Sequence, residues 1–153
     1  MPPRMMFLVS TNNRIDRDGE IVTRQALENY VQFAHDEAGA YIGNNDLLWW
    51  HGGDAIGKIV ECEVIHGFLV EIAIELDNAP VTVGKAGESE QANIADIWDM
   101  VESNPRAFGV SQGFQYLEDD KAGGIYHRIF KHESSVLPIE SASNIFTLAQ
   151  VLA

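Results

Sequence analysis

Two long runs of strand-forming residues, Ile56 to Ile65 and Phe68 to Leu76, are separated only by His66-Gly67, which is the spacing of a two-residue hairpin turn. Along the second run Phe68, Val70, Ile72, Ile74 and Leu76 alternate with Leu69, Glu71, Ala73 and Glu75, the period of two of a half-buried strand. The two runs therefore read as an antiparallel pair of strands. The chain has 153 residues, 46% of them hydrophobic, and no repeat, low-complexity stretch or linker divides it, so a single domain over residues 1–153 with one packed core is expected.

The remaining elements follow from local pattern. Met6 to Ser10 reads as a strand, followed by a run of turn formers from Thr11 to Glu20 and a short strand at Glu20 to Val22. Thr23 is placed to cap a helix over 24–35, because Leu27, Tyr30, Val31 and Ala34 fall at i, i+3, i+4 and i+7. Leu47 to His51 is a short, bulky run stopped by Gly52-Gly53 and reads as a buried strand. Residues 77–90 lack periodicity and read as a loop, and a second helix is expected from about Ser89 to Asn104-Pro105 on the spacing of Ile94, Ile97, Trp98 and Val101. Phe108 to Leu117 and Ile125 to Leu137 read as two strands joined by a charged turn, and the apolar tail from Ser143 to Leu152 as a docked helix or strand. The sum is an α+β domain: a mainly antiparallel sheet or barrel of about seven strands flanked by two or three helices.

Composition removes several classes of function. Lys and Arg number 10 against 23 Asp and Glu, a net charge of −13, which repels phosphate backbones and disfavours nucleic-acid binding. No apolar run approaches the roughly 20 residues of a membrane-spanning helix, and Met1 to Val9 lacks the pattern of a secretory signal. The lone Cys62 can form no internal disulfide, and Glu61 and Glu63 beside it would raise rather than lower a thiol pKa, so it reads as a small strand residue. No paired-histidine, His-Glu-x-x-His or calcium-loop spacing is present; Asp16-Arg17-Asp18-Gly19-Glu20 reads as a turn, and neither metal nor cofactor is expected.

Chemistry concentrates in Phe108-Gly109-Val110-Ser111-Gln112-Gly113-Phe114. Alternation sets Ser111 on one face between Gly109 and Gly113, leaving room for close approach of another backbone, either a bound peptide or a crossing or bulge of the fold itself. A serine hydroxyl needs a base to become a nucleophile. Of the five histidines, His35 and His66 read as surface residues and His127 as part of an exposed strand face. His51, at a strand end beside a glycine turn, is the best-placed base. An orienting partner for it can come from His132 or Glu133, which point to opposite faces of a strand; alternation alone does not choose between them.

In chain order these pieces resemble the prohead maturation proteases of tailed bacteriophages, serine peptidases related in fold to herpesvirus assemblin. Ser10-Thr11 through Ile15-Asp-Arg-Asp-Gly-Glu-Ile-Val22 is similar to the opening block of that family. Leu47-Leu-Trp-Trp-His51 with Ile56-Gly57-Lys58 resembles its histidine block. Phe108 to Phe114 resembles its serine block, and His132-Glu-Ser-Ser-Val-Leu-Pro138 its acidic block. The four span nearly the whole chain, which departs from the family after Pro138, where Ser141-Ala-Ser-Asn144 replaces Pro-Ala-Asn. The resemblance implies an assemblin-like barrel with Ser111 as nucleophile, His51 as general base and Glu133 as the acid orienting it, His132 being the alternative third member. It further implies a serine endopeptidase inside the phage procapsid, within the bacterial cytoplasm, that cuts scaffold and major capsid proteins and itself. Assemblin relatives suggest a homodimer. The rival class is a non-catalytic capsid-assembly or scaffold-binding domain on the same barrel, its acidic surface docking a basic partner; a serine esterase acting on small substrates is a further rival.

Overall fold

The computed structural model describes residues 2–12, 16–85, 87–144 and 146–152. The expected loop after the first strand falls partly on residues 13–15, and with it Ile15 of the opening block, outside the described residues. The central hairpin forms as its spacing requires. Strand β4 (Gly52–Ile65) turns at His66 and Gly67, both with positive φ, into β5 (Phe68–Glu75). Around it the main sheet runs in the order β12 (Leu148–Val151), β1 (Met5–Asn12), β5, β4, β3 (Asp46–Trp49), β11 (Phe130–Pro138), β8 (Phe108–Gln115). Every pairing is antiparallel except β3 with β11.

The sheet curls until its ends meet. Thr147, just before β12, accepts the N–H of Val110 in β8 at 2.8 Å and donates its hydroxyl proton to the Val9 carbonyl of β1 at 2.7 Å. The result is a mixed α+β fold on a nearly closed barrel-like sheet, with two α-helices among the described residues. None of these helices is long and apolar enough to cross a membrane.

Helix α1 (Arg24–Phe33) begins where its capping signal lies, the Thr23 hydroxyl accepting the Ala26 N–H at 3.1 Å, and it buries Ala26, Leu27 and Tyr30 against Cys62, Leu69 and Tyr126. Helix α2 (Ile94–Ser103) caps the barrel with Trp98, fully buried, whose indole N–H donates to the Ile56 carbonyl at 2.9 Å. Burial of a tryptophan with its one polar atom satisfied is a large and specific packing contribution.

Several expectations are corrected. The stretch 77–90 is not a loop. Pro80–Lys85 (β6) and Glu88–Asn93 (β7) pair as an antiparallel ribbon, joined to the barrel through Val83 opposite Gly53, and α2 starts only at Ile94. Val83 is buried in the barrel core with Val81 and Ala92 packed against it, but nearly all of β7 is exposed, so the ribbon carries too few apolar positions to imprint a clear period of two. The expected single strand Ile125 to Leu137 is two. Ile125–Tyr126 (β10) joins a small second sheet with Ile21–Val22 (β2) and Lys121–Ala122 (β9), and β11 begins at Phe130. In β5 the mixed row Leu69, Glu71, Ala73 faces inward, whereas Phe68, Val70, Ile72 and Ile74 are only half-buried. Glu71 can occupy the interior because Lys131 meets it there at 2.7 Å, both side chains wholly buried, and the Ser134 hydroxyl donates to its other oxygen at 2.7 Å.

His35, expected at the surface, is hydrogen-bonded on both ring nitrogens, Nδ1 donating to the Val31 carbonyl at 2.7 Å and Nε2 facing the Glu61 carboxylate. These contacts, the Val31 carbonyl first and Glu61 second, raise its pKa. A raised folded-state pKa gives stability that is present below the ordinary histidine value and is lost as pH rises through the folded value. Melting temperature is therefore expected to decline slightly from about pH 6 to about pH 8, and the decline to be smaller in Glu61→Gln; equal slopes would remove the pair from the account.

Candidate active site

The segment Leu47 to His51 ends in a turn, not a strand. Trp49 pairs with Gly52, and the two residues between them, Trp50 and His51, have φ of 51° and 60°. Tight hairpins of this hand normally carry Asn-Gly or Gly-Gly, since a side chain at positive φ costs on the order of 1–3 kcal/mol. Such a turn persists only if its surroundings fix it, and they do. The Trp50 N–H donates to the Val136 carbonyl at 3.0 Å and the His51 N–H to the Ser135 hydroxyl at 2.9 Å, so the turn is tied to β11 at two successive residues.

Strand β11 supplies the acid through a bulge. Its pairing with β8 places Ser135 opposite Ser111, Ser134 opposite Gln112 and Glu133 opposite Gly113, and the register then shifts so that Lys131, not His132, opposes Phe114. The extra residue at 132 puts Lys131 and Ser134 together on the inner face, reaching Glu71, while Glu133 and Ser135 share the other face with Ser111. His132 is exposed at the bulge, and Glu133 is the residue that meets His51.

The three predicted residues come together. His51 Nε2 lies 2.9 Å from Ser111 Oγ, and His51 Nδ1 lies 2.5 Å from Glu133 Oε1. An ionised carboxylate only accepts, so Nδ1 carries the proton and the Nε2 lone pair faces the hydroxyl. Burial pushes the Glu133 carboxyl up, but hydrogen bonds from His51 and Ser135, with the charges of His51 and Lys131, outweigh it and hold the group below its ordinary value. An anion held there stabilises an imidazolium when Nε2 takes a proton. The hydroxyl is half-exposed and the imidazole is open to solvent, so a reactant can reach both.

Gly109 and Gly113 find their reason in side chains rather than in an approaching backbone. A Cβ at Gly113 would overlap Glu133 Oε1 and His132 Cε1, and one at Gly109 would stand 2.5 Å from Thr147 Cγ2. Gly113 thus makes the space in which the carboxylate reaches the imidazole.

A cleft of about 170 Å³ opens beside Ser111, bounded by Asp16, Asp18, Glu20, Phe114 and Tyr126. Its carboxylates are internally engaged: Asp16 Oδ1 accepts the N–H groups of Asp18 and Glu20, Asp18 accepts from Ser143, and Glu20 meets Lys121 and the Tyr126 hydroxyl. The segment is the turn its sequence suggests. Arg17 within it binds the carbonyls of Ile139, Glu140 and Ala142, tying the opening block to the chain just after β11. Cys62 is buried, and burial together with Glu71 pushes its thiol up to about 12, which leaves it without nucleophilic character.

Sequence reasoning passed over Ser135. Its only signal is position, two residues after Glu133 and therefore on the same face of the strand. Comparison of the chain with family models, curated proteins and solved structures finds no match in any of the three.

Proposed function

We propose that this chain is a serine endopeptidase on an assemblin-like barrel. The observation that carries the reading is the line Ser111–His51–Glu133, with a hydroxyl 2.9 Å from a base whose other nitrogen is 2.5 Å from a buried carboxylate. In the reaction, Nε2 takes the Ser111 proton as Oγ attacks a carbonyl carbon, and the imidazolium then protonates the leaving amine; water repeats the sequence to release the acyl group. Because Nε2 must be unprotonated to begin, activity falls on acidification.

Peptide rather than small-ester chemistry is favoured by the setting of Ser111. Strand β8 ends the strand order, and along its edge beyond Val110 an extended segment can pair, with main-chain hydrogen bonds setting register. The four ordered motifs favour the prohead maturation class, with scaffold and major capsid proteins and the chain itself as substrates, inside the procapsid.

A serine-directed fluorophosphonate tests activation of the hydroxyl directly. Stoichiometric labelling mapped by peptide mass to Ser111, and absent from Ser111→Ala, is the expected result. No labelling of the folded chain would overturn the peptidase reading in favour of an assembly domain.

A further inference from the structure

We infer that Ser135 is a positioning residue of the Ser111–His51–Glu133 site, its hydroxyl locking the backbone of the base to the carboxylate that orients it. The inference rests on the peptidase reading. Ser135 is fully buried directly across the strand pair from Ser111. Its Oγ lies 2.7 Å from Glu133 Oε2 and 2.9 Å from the His51 nitrogen. A carboxylate cannot donate and a backbone N–H cannot accept, so both directions are fixed: Ser135 donates to Glu133 and accepts from His51.

The consequence is a closed ring of contacts. Glu133 binds the imidazole through Oε1 and Ser135 through Oε2, and Ser135 binds the main chain of the residue that carries the imidazole. Nothing else in the ring can rotate without breaking one of the three bonds. The hydroxyl thus does two things at once. It holds a positive-φ turn residue in place, and it supplies the second donor that keeps Glu133 anionic away from water.

Removing the donor favours proton uptake by the His51–Glu133 pair as a unit, because the buried anion beside a neutral imidazole loses most by it. The acid limb of the reaction should therefore move to higher pH, a change that loss of stability alone does not produce.

The test is the second-order rate of Ser111 labelling by a fluorophosphonate as a function of pH, with thermal unfolding of each protein and peptide turnover for the split between kcat and KM. The proteins are the full-length wild type, Ser135→Ala, Ser135→Cys and Ser135→Thr. In Ser135→Ala the plateau rate and kcat are expected to drop on the order of tenfold to a hundredfold with KM little changed and the acid limb displaced upward. Ser135→Cys, nearly isosteric but a poor donor, should behave alike, and it carries the test if the alanine variant does not fold. Ser135→Thr, which keeps the hydroxyl, should recover most of the rate. Labelling of the alanine or cysteine variant at the wild-type rate with an unmoved limb overturns the role of Ser135 and leaves the peptidase reading standing. A wild type that does not label removes both.

Discussion

On the proposed peptidase reading, Ser111→Ala is expected to abolish cleavage of scaffold and capsid-protein substrates and of the chain itself, lowering the rate by about 10⁴ to 10⁶. The loss is this large because, among the described residues, Ser111 is the hydroxyl hydrogen-bonded to His51 Nε2. His51→Ala should cost about as much, and the double variant little more than either single one, since a nucleophile without its base and a base without its nucleophile are equally idle. Glu133→Gln keeps shape but not sign. A glutamine amide can donate to Nδ1, which would turn the Nε2 hydrogen toward Ser111 and leave the hydroxyl without an acceptor, a loss of about 10⁴ in triads of this kind. Intact mass followed over time for each variant reads all of this. Cleavage that persists in Ser111→Ala at the wild-type rate would exclude the site described above.

The second large effect is on folding. Lys131→Met should destabilise the chain by about 3–5 kcal/mol, because it strands the Glu71 carboxylate inside the barrel with only Ser134 as donor. Pairing it with Glu71→Leu should recover much of the loss, since two apolar side chains need no partner there. Denaturant unfolding of the two single variants and the double variant forms a thermodynamic cycle. Additive losses in that cycle would show that the pair is not coupled. The effect on activity should be smaller than on stability, because Lys131 and Ser134 face away from Ser111 across β11.

The parts of this fold that the sequence makes legible are those where one face is wet and one dry. The β4–β5 hairpin and α1 with its Thr23 cap follow from period and turn chemistry. Where that contrast fails, so does the pattern: β7 is exposed along nearly its whole length, and β5 sends a glutamate inward because a lysine about 60 residues later pairs with it. The site divides likewise. Ser111 and His51 stand out by their glycine neighbours, whereas the choice between His132 and Glu133 depends on a bulge that breaks strand parity between Lys131 and Glu133. A bulge has no sequence signature here; it becomes visible only once β11 is laid against β8. The Trp50–His51 turn is hidden for the same reason, since local propensity argues against it and bonds to the distant Val136 and Ser135 help hold it.

The bulged strand also sets a clock on the chain. His51 lies in the first third of the sequence, while the hydroxyl it faces is 60 residues downstream and the carboxylate 82. Strand β11 takes its place between β3 and β8, so the imidazole does not have both partners in place until β11 has been made and inserted. Contacts of such wide sequence separation form late. On the proposed reading, an enzyme whose targets include its own chain is thereby latent until β11 is inserted: before that, the molecule has its serine and its histidine but not the strand that sets them in one line.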